Sequence, residues 1–180
     1  MLVEDQVFEK KNELAVGSYE SCQFISCNFE GAKFSSYKFI DCIFDMCNLS
    51  LILQEDMMIQ DCQFKNCKIL GFQFGQANTF NLSFSFTNCV LDHSSFHGVK
   101  IKKTIFKDCL LREVDFERSD CSQAIFDNCD LQSAIFYQTT LEQTDFRTAY
   151  NYMLDPEYNK IKGAKFTLAG IPGLLQKYKI

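Results

Sequence analysis

The sequence lacks most of what an enzyme or a metalloprotein displays. It has no glycine-rich phosphate loop and no His-Glu-x-x-His motif. Nucleophilic catalysis needs a base beside a serine or cysteine, and the only imidazoles, His93 and His97, flank Phe96 at positions expected to face solvent, with Ser94 and Ser95 nearby. Ten cysteines are present, yet none forms the close Cys-x2-Cys pair that tetrahedral zinc favours. No cofactor, metal or catalytic residue is therefore expected. No window approaches the ~18 to 20 apolar residues of a membrane span. The N-terminus reads Met-Leu-Val-Glu-Asp-Gln, acidic where an export signal needs a basic start and an apolar run. The expectation is a cytoplasmic chain with free thiols. A net charge of −5 supplies no basic field for nucleic acid.

What is present is phenylalanine: 19 against 7 Tyr and no Trp, so one flat, hydroxyl-free ring is selected repeatedly. Large apolar residues fall five apart at Tyr19, Phe24, Phe29, Phe34, Phe39, Phe44 and Leu49, and again from Phe86 through Phe146. Two residues before most of them sits something small, such as Cys22, Cys27, Ala32, Cys42, Ser94 or Thr104. A period of five fits neither a helix face nor an alternating strand, but it fits a chain that turns after each short step. Cys22, Cys42 and Cys62 repeat every 20 residues, as do Cys27, Cys47 and Cys67. The step from Cys67 to Cys89 is 22, which marks a two-residue insertion between Phe74 and Phe86. With that correction Phe24, Phe44, Phe64, Phe86, Phe106, Phe126, Phe146 and Phe166 align as one core stack. The reading is an all-β solenoid, a four-sided β-helix of about seven coils on the order of 34 Å long. Gln54 occupies a core position without breaking the count, and the cysteines read as small core fillers.

The ends depart from the repeat. Residues 1–18 are expected to form an N-terminal cap, 19–146 the β-helix, 147–170 an irregular last coil, and 171–180 a short helix begun by Pro172. Ten residues cannot hold a helix alone. Ile171, Leu174, Leu175 and Tyr178 must therefore pack either on the last coil or on a second copy. Among outward positions, Glu55, Asp56, Asp115 and Glu117 project from one side, partly offset by Lys33 and Arg118. Lys100, Lys102 and Lys103 cluster on another.

The stretch Ser-Cys-Gln-Phe-Ile-Ser-Cys-Asn-Phe at 21–29, repeated from about residue 19 to 166, resembles the pentapeptide-repeat family. The resemblance implies a right-handed quadrilateral β-helix. Length and C-terminal segment are similar to the quinolone-resistance and microcin-immunity branch. That likeness implies a homodimer formed through C-terminal helices, a DNA-like surface, and DNA gyrase or topoisomerase IV as partner, with no direct nucleic-acid or membrane contact. Glu55, Asp56, Glu113, Asp115 and Glu117 are the expected partner surface. Members that carry long projecting loops differ from this chain, whose count leaves room for only two extra residues. A stiff scaffold or spacer for another protein partner is the alternative.

Overall fold

The structure, a computed structural model, describes residues 1–179; Ile180 lies outside the described residues. Two strands come from each early coil: β1 (Leu2–Glu4) and β2 (Val7–Glu9), β3 (Ser18–Glu20) and β4 (Gln23–Ile25), β5 (Lys38–Ile40) and β6 (Ile43–Asp45), β7 (Met58–Gln60) and β8 (Cys62–Lys65). The later coils each give one, β9 (Phe84–Thr87), β10 (Ile105–Lys107) and β11 (Ile125–Asp127). All pairing is parallel. One sheet runs β1-β3-β5-β7 and the other β2-β4-β6-β8-β9-β10-β11. The register is set by the core residues: Phe24 faces Phe44, Phe44 faces Phe64, and Phe64 faces Phe86 across the 22-residue step.

The coil has four sides, numbered here by their central residues. Tyr19 and Phe39 open the first side, Phe24 and Phe44 the second, Phe29 and Leu49 the third, Phe34 and Gln54 the fourth. On the third and fourth sides the ladder continues as single bridges, such as Asn28 to Asn48 and Ser95 to Asp115. A strand of three residues can then be followed by a bend only if each corner accepts a positive φ. The residue two after each central one supplies it, as at Ser26, Asp41, Asn66, Asn88, Asp108 and Asn128. Asn and Asp tolerate this left-handed region and can bond locally. Here they also bond between coils, Asn66 Nδ2 to Asp45 Oδ1 at 2.7 Å and Asn88 Nδ2 to Asn66 Oδ1 at 2.8 Å. Gly31 and Gly71 serve two corners of the third side, where φ is +67° and +65°. Between them Leu51 holds φ +56° while exposed, an arrangement its side chain does not favour.

Inside, the rings stack like the strands. Successive second-side phenylalanines lie 4.6 to 5.2 Å apart from Phe24 to Phe86, and Phe106, Phe126 and Phe146 continue at 5.1 and 5.0 Å. Phe166 closes the stack at 5.4 Å. The stack also extends upward. Phe8 lies parallel to Phe24 at 5.2 Å although the step between them is only 16 residues, because the first coil is four residues short of a full turn. Residues 1–18 therefore add one strand to each sheet while Tyr19 and Tyr37 bond back to Ala15 and Leu14 carbonyls.

The small position does more than fill space. Cys42, Cys47, Cys62, Cys67, Cys89 and Cys129 each direct the thiol at a carbonyl of the preceding coil, Tyr19, Phe24, Phe39, Phe44, Phe64 and Phe106 respectively, at 3.2 to 3.4 Å. Ser94, Thr139 and Thr144 do the same with hydroxyls at 2.8, 2.8 and 2.9 Å. The site thus requires a small side chain, and where that side chain carries a donor it satisfies a buried carbonyl whose lack of a partner costs ~1–3 kcal/mol; Ala124 and Ala134 fill the position without one. Gln54, the polar core residue, is buried and donates to the Gln73 carbonyl at 2.6 Å.

Candidate interaction surface

Because every inward position is taken by the stack, chemistry-bearing side chains are confined to the outside and the two ends. Open clefts of about 780 Å³ beside Phe8 and Leu14 and about 770 Å³ beside Tyr150 and Asn151 mark those ends. Neither lining pairs a cysteine or histidine with a second group in the manner of a nucleophile and its base.

Outward residues fall into columns one coil apart, and the columns sort the charge. The fourth side carries Glu55 and Asp56, then Asp115 and Glu117, then Asp155 and Glu157, against Lys33 and Arg118. Four of the five expected surface acids thus share one side. Glu113 does not; it sits on the corner before it, paired with His93 at 3.3 Å. The acids form separate clusters, not a continuous line: Glu55 and Glu117 are three coils apart, roughly 14 Å at strand spacing. Gly75 and His97 occupy the positions between them. Exposed apolar groups share the side, namely Leu53, Ile135, Tyr137 and Tyr158, the two tyrosine rings lying 5.4 Å apart.

Sequence reading missed three participants. Asp92 is almost fully buried and pairs with Arg112 one coil below, Nε to Oδ2 at 2.9 Å. Asp155 and Glu157 lie in a stretch where the repeat chemistry fades, so no five-residue count flagged them. Both hold Lys177, at 3.0 and 2.8 Å. The Glu157 backbone N–H first, and then Lys177, hold the Asp155 carboxyl below its ordinary value. On the second side the Arg147 guanidinium does the same to Asp145. The basic residues Lys100, Lys102 and Lys103 lie on the first side, Lys102 bonded to Asp120 at 3.2 Å.

The C-terminal segment is shorter as a helix than the sequence pattern suggests. Only α1 (Pro172–Leu175) is α-helical, between 3-10 turns at Leu168–Gly170 and Gln176–Tyr178. Its docking is dictated by Tyr152, which packs against Gly170 and Gly173 so closely that a Cβ at either would collide with it. Leu174 packs against the core, Ile171 and Leu175 are half-buried, and Tyr178 is exposed with its hydroxyl 3.4 Å from Glu157. Residues 147–170 keep the ladder, with Asp130 bridged to Tyr150, Thr140 to Lys160 and Asp145 to Lys165. The departure is confined to the 151–158 stretch, where Tyr152 and Leu154 turn inward. No helix among the described residues is long and apolar enough to cross a membrane.

No curated protein matches the sequence. Two trypsin-treated variants of QnrB1, described as a plasmid-mediated fluoroquinolone resistance protein, align over 100% of this chain and 96% of theirs, at 20% identity, with TM-scores of 0.52 and 0.53. Full-length QnrB1 aligns over 100% of both chains with a TM-score of 0.44. At such identity the likeness is one of fold. A family model described as a pentapeptide repeat region matches residues 83–150. The same five-residue geometry runs on both sides of that region, from Tyr19 to Phe166. The chain therefore carries a pentapeptide-repeat region at 83–150 within a β-solenoid of the same five-residue geometry.

Proposed function

We propose that this protein is a non-enzymatic interaction rod that occupies the DNA-binding saddle of a type II topoisomerase, gyrase or topoisomerase IV, and modulates its sensitivity to quinolones or gyrase toxins. The observation that carries the reading is the sorting of charge. In a chain with 23 acidic and 18 basic residues, the fourth side gathers Glu55, Asp56, Asp115, Glu117, Asp155 and Glu157 against Lys33, Arg118 and the Lys177 that bonds the last two acids. Duplex DNA bears a charge about every 1.7 Å, a density that spaced clusters do not reach. The contact is therefore made by acidic points with apolar neighbours, Leu53, Ile135 and Tyr137, which supply the desolvated anchors that dominate interfaces. The fold shared with a fluoroquinolone resistance protein supports the choice of partner.

Supercoiling by purified gyrase, with and without a quinolone, tests it. The protein at micromolar concentration is expected to inhibit the enzyme or relieve the drug. Reversing Glu55, Asp56, Asp115 and Glu117 to lysine is expected to weaken the effect at least about tenfold, as loss of electrostatic steering does. If the unaltered protein neither inhibits gyrase nor protects it from the drug, the reading is ruled out. The gaps between clusters favour a second reading, a stiff spacer for another partner, which a pull-down returning a protein unrelated to DNA topology would support.

We also propose that the rod works as a homodimer joined at its C-terminal segment. Leu174 is engaged within the chain, but Tyr178 and the neighbouring Leu168 are exposed, and Ile171 and Leu175 are half-exposed. Leu175→Asp with Tyr178→Asp is expected to halve the mass measured by light scattering. An unchanged mass would assign the segment to capping alone.

A further inference from the structure

We propose that His97, Asp115 and Glu117 form a binding site for a divalent first-row metal ion of the Zn²⁺ or Co²⁺ kind. One ligand atom from each lies within 4.8 Å of the others. The inference is independent of the topoisomerase reading, since it concerns the ion alone.

The three side chains project from two consecutive coils whose relative position is locked. His97 follows Phe96, and Asp115 and Glu117 flank Phe116, whose ring stacks on Phe96 at 5.2 Å and 3°. Backbone bonds tie the same coils, Phe96 N to Asp115 O at 2.7 Å and Gly98 N to Glu117 O at 2.9 Å. Ligands on such a frame are preorganised, which loops do not offer.

The spacing also suits a metal better than a hydrogen bond. Asp115 Oδ1 accepts the Glu117 N–H at 2.8 Å, and its Oδ2 faces His97 Nδ1 at 3.5 Å. That is too long for a good N–H···O bond. Metal–nitrogen and metal–oxygen bonds of about 2.0–2.2 Å at a tetrahedral angle place two ligand atoms roughly 3.4 Å apart. The pair is therefore already at the edge length of a coordination tetrahedron, and Glu117, on a longer stem, supplies a third corner.

Room and charge agree. Gly75 lies in the coil before His97 and Gly98 beside it, and a Cβ at Gly98 would meet nothing within 4 Å. Water can thus complete the coordination shell. A neighbouring cation, Arg118, is 3.7 Å from Glu117 Oε1, with its Nε donating to Gln138 Oε1 at 2.9 Å. An imidazole with two carboxylates and no thiolate selects Zn²⁺ or Co²⁺ over Cu⁺ or Ca²⁺. The second histidine, His93, faces the single carboxylate of Glu113 and provides an internal control.

Titration calorimetry of the full chain with Zn²⁺ alone, paired with Co²⁺ absorption, tests the proposal. One ion per chain is expected, with ligand-field bands of nitrogen and oxygen donors and no thiolate-to-cobalt charge transfer. His97→Ala and Glu117→Gln should each weaken binding by at least about tenfold, while His93→Ala leaves it unchanged. All three positions are at the surface, so circular dichroism should be unaltered. Absence of binding to the folded chain, binding that survives His97→Ala, or a thiolate charge-transfer band would each overturn the assignment.

Discussion

Phe106→Ala is expected to cost about 3–5 kcal/mol, the range for removing a buried aromatic ring. Phe106 is fully buried. It stacks on Phe86 at 5.2 Å and Phe126 at 5.1 Å, nearly parallel to both, and meets Phe96 and Phe116 edge-on at 5.8 and 6.2 Å. No other side chain can flow into the gap, because each coil is fixed by its own ladder. In a solenoid, stability is close to a sum of coil terms and nearest-neighbour junctions. A central vacancy weakens two junctions at once, and the stack should uncouple into halves. Phe166→Ala is the comparison: that ring is only half-buried, stacks on Phe146 on one face and meets Tyr152 at a tilt at 5.9 Å. Its loss is expected to cost about half as much. Urea unfolding followed by circular dichroism measures both. Equal costs at the two positions would refute the junction argument.

That contrast also explains what the sequence makes legible. A five-residue period with a large residue at its centre implies a chain that turns after each step, and the 20-residue cysteine repeat makes the sides of the coil four. Even the two-residue step between Phe74 and Phe86 is visible, since the cysteine register slips with it. Less visible is Phe8, which joins the stack after a coil of 16 residues and so breaks the count that identifies its fellows. The thiol donors are invisible for another reason. Cysteine, serine and alanine all satisfy the size requirement, and the carbonyl each donor meets is fixed only by the stacking of one coil on the next. The surface is the least legible part, for the core rule constrains nothing that points outward. Counting does assign Glu55, Asp56, Asp115 and Glu117 to one side, since all flank or follow its central residues. It cannot show that His97 hangs above two of them, because that depends on the coil rise and on rotamers. Asp155 and Glu157 escape because their coil replaces the central phenylalanine with Pro156 and turns Tyr152 and Leu154 inward instead.

Alkaline pH is expected to unfold this protein more steeply than its carboxylates or lysines would suggest, because its titrating groups of consequence are core thiols. Burial pushes Cys121 up to about 12 from the ordinary 9.0, and burial also drives Cys62 well above that value. In the unfolded chain these thiols ionise near pH 9, while in the folded chain they keep their protons. Above about pH 9 the folded state therefore binds more protons than the unfolded one, so stability falls as pH rises. Below about pH 9 both states are protonated and the contribution is fully present. Each such thiol removes about 1.4 kcal/mol per pH unit until its folded-state value is reached. For a domain with ~5–15 kcal/mol in hand, two such thiols remove a substantial share within a unit or two of pH. Cys62→Ser isolates the cause. Serine keeps the donor toward the Phe39 carbonyl, as Ser94 does toward Ile69, but does not titrate in this range. The variant's stability, followed by urea unfolding between about pH 8 and 11, should fall less steeply by roughly 1.4 kcal/mol per unit. Parallel curves for the two proteins would show that the thiol ladder does not govern alkaline stability, whatever the variant's stability at neutral pH.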